Sequence, residues 1–364
     1  MQDVEWGEYR LSDLFEIVGT KSLDSNAIEF INNGINFIGR TDENNGKQGE
    51  IELQKFPPNN PYTITATVIG NYKYVKLQKE KYYCSQNINK LTPKKEHITR
   101  WNDRIAYYLI CNIQKFVSLY NGQQGGYTLD KIKNHIIQLP TKNKKIDFEF
   151  MESFVAELEA KNLAELEAYL LATGLKDYEL TDKEKQAISN YDNLVWNSYN
   201  LQELFGKATR GKRLKSADRI EGDLPFVTAG ETNEGISAFI GNKVQVFSKN
   251  TITIDMFGSA KYRNYNYGGD DHIAVVHTEK LPMEAAIFVT AAIHKSSHNG
   301  QFNYGKNFYA KDADELNIML PEEKNKPNYE YMETLISAIK KLVIKDVVLY
   351  TSMKIEATRQ VIYK

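Results

Sequence analysis

The chain has 364 residues, of which 41% are apolar and 12% aromatic, so it is long enough for two or three domains with cores and is not of disordered composition. A formal net charge of −1 argues against a uniformly basic coat for nucleic acid, although local asymmetry can still create a basic surface. Because Cys84, Cys111 and six histidines complete no zinc-binding spacing, we expect neither a disulfide framework nor a structural metal.

The start of the chain, MQDVEWGEYR, lacks the basic and apolar regions of a signal peptide. No run of about 18 apolar residues occurs further on, which is the length a membrane helix needs. We therefore expect no membrane segment and a place in the reducing cytoplasm.

The first part of the chain recurs in its second half. EWGEYRLSDLF (5–15) aligns with VWNSYNLQELF (195–205), and FIGRTDENNGKQGEI (37–51) aligns with FVTAGETNEGISAFI (226–240). Further on, IIQLP ends at Pro140 and NIMLP ends at Pro321. Because the matches keep the same order in both halves, we predict an internal repeat.

Short runs of β-branched and aromatic residues come before the LP pair of each half. Examples are YTITATVIG (62–70) and NTITIDMFG (250–258), and Gly, Asn and Pro separate such runs. This texture is typical of short strands with exposed loops. We therefore predict strand-rich domains over residues 1–146 and 191–327.

After each LP pair, apolar residues recur at helical spacing. They are Met151, Val155, Leu158, Leu163, Leu166 and Leu170 in the first half, and Met332, Ile336, Ile339, Val343, Val347, Tyr350 and Val361 in the second. We predict a long helix and a partly helical link over 147–190, with Gly174 as the helix cap, and a second long helix over 328–364.

The two predicted helices differ in charge, since glutamates dominate the first and lysines flank the second. Apolar stripes with opposite flanking charge favour an antiparallel coiled coil. In the alternative arrangement, each helix packs on its own domain. The predicted fold class is α+β, with two strand-rich globular domains, each followed by a long helix, and pseudo-twofold symmetry.

Such symmetry within one chain suits a target with two separated parts, such as an asymmetric bipartite DNA site. Side chains of the types that contact base edges lie in the paired loops: Arg40, Thr41, Asn44, Asn45, Lys47, Thr228, Glu231, Asn233 and Glu234. Cations suited to phosphates lie nearby: Lys21, Lys73, Lys76, Arg210, Lys212, Arg213, Lys215, Lys261 and Arg263. The loop residues are also typical of plain tight turns, and that interpretation stays open for each of them.

These paired stretches, YYCSQNINKL (82–91) and the helix after each domain resemble the DNA-specificity (S) subunit of type I restriction–modification systems and of the related type IIB systems, over nearly the whole chain. The resemblance implies that each globular unit is a target recognition domain for one half of a bipartite sequence. NYGGDDHIAVV (266–276) replaces YYCSQNINKL, and Ala229 stands at the position of Arg40. The two domains should therefore read different bases.

The resemblance also implies a coiled-coil spacer that docks methyltransferase (modification) subunits. The implied partners are double-stranded DNA, two methyltransferase subunits and restriction subunits, with no catalytic residue, cofactor or metal in this chain. AELEA begins at 156 and recurs at 164, and short repeats at this place tune the spacer in type I subunits. The strong helix propensity of Ala, Glu and Leu is the other explanation of this repeat.

Two other function classes stay open on the residues alone. GKATRGKR (206–213) has the spacing of a phosphate-binding loop, but Arg213 stands where a hydroxyl would hold magnesium. DDHIAVVH (270–277) offers metal-ligand types, although it fits the start of an apolar strand better. The alternatives are an enzyme that uses the 206–213 loop and a tandem-domain cytosolic scaffold that binds protein.

Overall fold

A computed structural model describes residues 4–122 and 125–362, and the side chains of 358–362 are not described. Its residues form two compact units, Met1–Glu165 (unit 1) and Leu166–Lys364 (unit 2). The division at 1–146, 147–190, 191–327 and 328–364 remains a prediction. Parts of that prediction lie outside the described residues, namely residues 1–3, residues 363–364 and the side chain of Val361.

The elements of unit 1 alternate short strands with few helices. They are β1 (Glu5–Arg10), α1 (Leu11–Leu14), β2 (Phe15–Gly19), β3 (Ile35–Ile38), β4 (Lys47–Ile51), β5 (Thr63–Thr67), β6 (Val75–Gln78), β7 (Tyr82–Cys84), β8 (Ile88–Pro93), α2 (Asp103–Ser118), α3 (Leu129–Asn134), β9 (Ile136–Lys142), β10 (Lys145–Ile146) and α4 (Phe148–Ala172), which continues into unit 2.

Unit 2 repeats this series after a helix in the link. Its elements are α5 (Asp182–Ser189), β11 (Trp196–Asn200), α6 (Leu201–Phe205), β12 (Thr209–Arg210), β13 (Glu221–Val227), β14 (Ile236–Ile240), β15 (Val246–Phe247), β16 (Thr251–Asp255), β17 (Ala260–Arg263), β18 (Tyr267–Gly269), β19 (Ile273–Val276), α7 (Met283–Ser297), α8 (Ala310–Asp314), β20 (Asn317–Glu323), β21 (Lys326–Pro327) and α9 (Tyr329–Ile362).

The strand orders of the two units correspond. Unit 1 has sheets β1-β9-β10, β2-β8-β5-β6 and β4-β3-β7, and unit 2 has β11-β20-β21, β12-β19-β16-β17 and β14-β13-β18-β15. Trp6 lies opposite Pro140 in the first sheet of unit 1, and Trp196 lies opposite Pro321 in the first sheet of unit 2. The predicted internal repeat and the α+β fold class are confirmed.

The strand-rich domains contain helices that the sequence analysis did not predict. In α2, Asn102 accepts the N–H of Ile105 as an N-cap, and apolar residues at helical spacing such as Leu109 and Ile113 are buried. Helix α2 packs on the four-stranded sheet of unit 1, and α7 packs on the four-stranded sheet of unit 2. The β-branched and aromatic residues of α2 favour a strand by propensity, and the helix forms because burial in the domain overrides that propensity.

The long helices α4 and α9 begin at Phe148 and Tyr329, within one residue of the predicted starts, and the LP pairs before them lie inside strands. Pro140 is in β9 and Pro321 in β20, and a hairpin precedes each helix. Gly174 adopts φ 70° just after α4, and its N–H donates to the carbonyl of Leu171, so the predicted C-terminal cap is confirmed.

The apolar stripe predicted for the second helix is only partly buried. Met332, Leu335 and Ala338 form the buried face, whereas Val343 is 75% exposed. Ile339, Val347 and Tyr350 are also exposed. The first turns of α4 and α9 pack into the cores of their own domains through Met151 and Met332. Antiparallel pairing of the two helices remains a prediction.

The link is held to α9 by a buried carboxylate. Thr181 and Glu184 form a capping box at the start of α5, and Glu184 also accepts hydrogen bonds from Ser337 and Lys341 of α9. Burial would raise the pKa of Glu184, but these hydrogen bonds outweigh it and lower that pKa to about 2. The carboxylate therefore stays charged over the range in which most proteins are stable. The partly helical link is confirmed.

Within residues 4–122 and 125–362, no helix combines the length and apolar character that crossing a membrane requires.

Candidate nucleic-acid interface

The paired loops over residues 39–47 and 228–236 have the same backbone shape. Asn44 and Asn45 adopt φ 42° and 54°, and Asn233 and Glu234 adopt φ 49° and 56°. Each loop is closed by a 2.8 Å hydrogen bond. In unit 1 the N–H of Gly39 donates to the carbonyl of Gly46, and in unit 2 the N–H of Thr228 donates to the carbonyl of Gly235. Since Asn tolerates the left-handed region better than most residues, the sequence favours this turn.

A glycine completes each left-handed turn. Gly46 has φ 84° and Gly235 has φ 79°. A Cβ on Gly235 would lie 2.7 Å from the carbonyl oxygen of Thr228, so no side chain fits there. The interpretation of these stretches as tight turns is confirmed, and contact of their exposed side chains with bases stays a prediction.

One side chain of a neighbouring strand donates a hydrogen bond to a backbone carbonyl of each loop. In unit 1, Gln78 Nε2 donates to the carbonyl of Asn45 at 3.4 Å and to Thr65 Oγ1 at 3.0 Å. In unit 2, Arg263 donates to the carbonyl of Glu234 at 2.9 Å through Nη2 and to Thr253 Oγ1 at 2.9 Å through Nε. These two residues are equivalent, because each ends its strand opposite the first threonine of TIT.

A lysine two residues earlier on the same strand adds a second anchor. Lys76 Nζ donates to the carbonyls of Thr41 at 3.1 Å and Asp42 at 2.6 Å. In unit 2, Lys261 Nζ lies 3.2 Å from the carboxylate of Glu231. Hydrogen bonds from Ser259 and then Lys261 lower the pKa of that carboxyl. The structure thus places Lys76, Lys261 and Glu231 in contacts that fix the loops.

Two predicted phosphate contacts are corrected by the structure. Lys73 is 1% exposed, and its Nζ donates to the carbonyl of Gly70 inside unit 1. Arg263 is also 1% exposed, and its third hydrogen bond goes to the hydroxyl of Tyr265. Buried side chains engaged in this way cannot reach a phosphate, so their role is structural. Sequence reasoning missed the anchor Gln78, because a single glutamine carries no motif.

The other predicted residues lie at the surface. Arg40, Asn44, Asn45, Asn233, Lys21, Arg210, Lys212, Arg213 and Lys215 are exposed, and Thr41, Lys47 and Thr228 are half-buried. Several of them already contact protein groups: Lys47 lies 2.6 Å from Glu50, Lys21 lies 4.2 Å from the ring of Phe56, and Arg210 lies 3.8 Å from Asp271.

Backbone pairing brings a basic segment next to each loop. In unit 2, Lys212 N–H donates to the carbonyl of Gly269, and Asp270 N–H donates to the carbonyl of Val227, the residue before the loop. In unit 1, Leu23 N–H donates to Cys84, and Ser85 N–H donates to Ile38. Lys21 in unit 1 and residues 210–213 in unit 2 therefore flank equivalent loops, as phosphate contacts beside base contacts would.

Residues 206–213 do not form a phosphate-binding loop. Such a loop leads from a strand into a helix, whose N-terminus faces the phosphates. Here the segment follows α6, passes through β12 and continues into an irregular stretch. Gly211 also lies so close to Gly269 that a Cβ would be 1.9 Å from its carbonyl oxygen.

Asp270, Asp271 and His272 bring possible metal-ligand atoms within 4.8 Å of one another. Asp270 Oδ1 accepts the N–H of Leu214, and Asp271 lies 3.2 Å from His272. The strand β19 begins at Ile273, so the interpretation as the start of a strand is confirmed.

Both units match one family of known proteins. The family described as the type I restriction modification DNA specificity domain matches residues 3–168 and 193–349. The type II restriction enzyme BgcI specificity subunit S.BcgI of Heyndrickxia coagulans is 22% identical over 348 residues, covering 94% of this chain and 96% of that protein. The crystal structure of a type I restriction-modification S subunit from M. genitalium has a TM-score of 0.61 at 16% identity, covering 99% of this chain and 95% of that one.

The chain belongs to the type I restriction modification DNA specificity family. It is a specificity subunit of a restriction–modification system, and it recognises a DNA sequence. The scaffold alternative is not favoured.

The anchors predict how each loop responds to mutation. Arg263→Leu leaves the buried hydroxyl of Thr253 and the carbonyl of Glu234 without their donor, so we expect the free energy of unfolding of unit 2 to fall by about 3 kcal/mol. Gln78→Leu removes weaker neutral hydrogen bonds in unit 1, and we expect about 1 kcal/mol there. Hydrogen–deuterium exchange should speed up in residues 228–236 for the first variant and in residues 39–47 for the second. Each variant's unaltered loop is the control, and wild-type exchange in the altered unit would contradict the anchor role.

Proposed function

We propose that each unit reads one half of a bipartite DNA target through its 39–47 or 228–236 loop. One observation carries the proposal: two loops with the same backbone and equivalent anchors present different side chains, with Arg40 in one and Ala229 in the other. A duplicated frame with unlike surface residues suits two unlike half-sites. The flanking basic segments would hold phosphates on either side.

We further propose that the chain itself is non-catalytic and that α4 and α9 set the spacer and dock two methyltransferase subunits, with restriction subunits joining the complex. Exposed apolar residues along α9, including Leu342, Val343 and Met353, support a protein partner on this helix. We propose that the complex acts on DNA in the cytoplasm. A type IIB organisation, with one fused nuclease–methyltransferase partner, is the second candidate, and the similarity to a type II specificity subunit favours it.

Exchange of one domain tests the proposal. When residues 1–146 are replaced by the matching domain of a relative, methylome sequencing of the host should show one new half-sequence and one unchanged half, because the chain divides into two compact units. Replacement of residues 191–327 is the matched control and should change the other half. If both halves change together, the proposed assignment of one half to each unit fails.

Arg40 and Lys212 separate base contacts from phosphate contacts. If Arg40 contacts guanine, Arg40→Ala should cost roughly 1–3 kcal/mol at one base position and relax specificity there. Lys212→Ala should weaken binding to all sequences alike and reduce the log–log salt slope by about 0.9 from a value near −3.6 for about four phosphates. Binding of the assembled complex to matched and single-mismatch duplexes measures both. Uniform weakening in Arg40→Ala would demote that arginine to a phosphate contact.

The length of α4 should set the number of unread base pairs. The helix has 25 residues, which span about 37 Å at 1.5 Å per residue, close to one turn of B-DNA. Deleting four residues between Leu163 and Leu170 removes about 6 Å and rotates the helix end by about 40°. Methylome sequencing should then show a spacer shorter by about one or two base pairs, with both half-sequences kept.

The matched control for this deletion replaces the same four residues by alanine. Because helix length does not change, the spacer should stay as in the wild type. Retained methylation with an unchanged spacer in the deletion variant would show that α4 does not set the distance.

A further inference from the structure

The strands that carry the loop anchors are themselves held by a helix at their first residue. In unit 1, Gln114 of α2 accepts the N–H of Val75 at 2.9 Å through Oε1 and donates to the carbonyl of Lys73 at 2.7 Å. In unit 2, His294 of α7 accepts the N–H of Ala260 through Nδ1 at 3.2 Å. Val75 and Ala260 occupy the same ladder position, opposite Ala66 and Ile254. Gln114 and His294 are therefore structural equivalents.

Each of these contacts lies on the strand that carries the anchors of the 39–47 or the 228–236 loop. Ala260 is followed by Lys261, which pairs with Glu231, and then by Arg263, which holds the carbonyl of Glu234. Val75 is followed in the same way by Lys76 and Gln78. This hydrogen bond therefore holds the first residue of the strand that carries both anchors of the loop.

The surroundings of His294 are polar and titratable. The ring of His298, the residue just after α7, lies 4.7 Å from the ring of His294, and His298 Nδ1 lies 3.2 Å from the carbonyl of Phe257. Ser297 between them donates to the carbonyl of Gly258 at 2.6 Å. Glu231 and Lys261 are the other charged groups that act on His294. The C-terminal end of α7 is therefore hydrogen-bonded to the turn between β16 and β17.

A backbone N–H can donate only to an unprotonated ring nitrogen, so the neutral imidazole is the form that holds Ala260. Burial lowers the pKa of His294 below its ordinary 6.5, and the charge of His298 and that of Lys261 act in the same direction, whereas Glu231 opposes them. A protonated Nδ1 would face the N–H of Ala260 as a second donor, and the contact would be lost. Gln114 cannot titrate, so the matching contact in unit 1 is insensitive to pH.

We propose that His294 is a positioning residue for the half-site read by unit 2, and that its protonation loosens the 228–236 loop while the 39–47 loop keeps its shape. The inference rests on the proposed function and assigns an acid-sensitive element to one half of the target. Because the folded protein disfavours the protonated imidazole, the unfolded state binds more protons, and the contribution of His294 to stability falls as pH drops from about 6.5 through its folded pKa.

The test uses the full chain assembled with its methyltransferase subunits and a pool of duplexes randomised across the whole site, at constant ionic strength. Halves are assigned to units by the replacement of residues 1–146. Between about pH 7.5 and about pH 5, discrimination in the half read by unit 2 should fall about fivefold, the size of one hydrogen bond, and the other half should not change. Equal loss in both halves would overturn the inference.

Reciprocal variants provide the matched control. His294→Gln copies unit 1 and should keep specificity at about pH 7.5 while removing the dependence on pH, and Gln114→His should transfer that dependence to the other half. A dependence that persists unchanged in His294→Gln would overturn the inference.

Hydrogen–deuterium exchange of the wild-type chain decides the matter even if a variant does not fold or no bipartite sequence is enriched. After correction for intrinsic exchange, the Ala260 amide should lose protection as the pH falls, and the Val75 amide should keep it. Equal protection of both amides across the range would contradict the role of His294. Absence of any bipartite enrichment at about pH 7.5 would instead contradict the proposed function.

Discussion

The left-handed corner of each paired loop is held by a hydrogen bond from a side chain of a neighbouring strand to a loop carbonyl. Left-handed non-glycine residues are strained, and they persist only where their surroundings hold them. Gln78 and Arg263 provide that support from beneath, and each also donates to a threonine of the central strand. The loop's shape is therefore set inside the domain, and its outward side chains are free to differ.

The same frame is built from different residues in the two units. Gln78 corresponds to Arg263, Lys76 to Lys261, and Gln114 to His294, and each pair makes contacts at equivalent places. The two units share the places at which the loop and its strand are held rather than the identity of the residues that hold them. Divergence of this kind changes charge and pH sensitivity beneath a loop while the loop keeps its backbone.

The sequence was sufficient to predict the repeat, because Trp6 with Pro140 and Trp196 with Pro321 recur in the same order and then pair in the same register. It was also sufficient for the turns, since Asn-rich loops ending in Gly46 or Gly235 require left-handed backbone. It was not sufficient for α2 and α7, whose apolar residues are packed on a sheet formed by distant strands.

The burial of Arg263 and Lys73 was equally hidden from the sequence. A cation's position along the chain does not say whether strand pairing turns it into the domain or out of it, because one residue's shift along a strand changes its face. Both were assigned to phosphates on charge alone. Arg263 is enclosed by partners from other segments, whereas Lys73 is buried in the loop before β6 and donates to the carbonyl of Gly70 in that loop. Other candidate cations, such as Lys212 and Arg213, lie at the surface.

The most direct test of the account is a graft of one loop onto the other unit's frame. Residues 39–47 are replaced by residues 228–236 together with Gln78→Arg, so that both units carry the same loop on the same anchor. Methylome sequencing of a host with the grafted chain and its partners should show the half read by unit 1 converted towards that of unit 2, in inverted orientation, with the second half unchanged. Retained methylation with the original first half would contradict the claim that these loops carry the specificity.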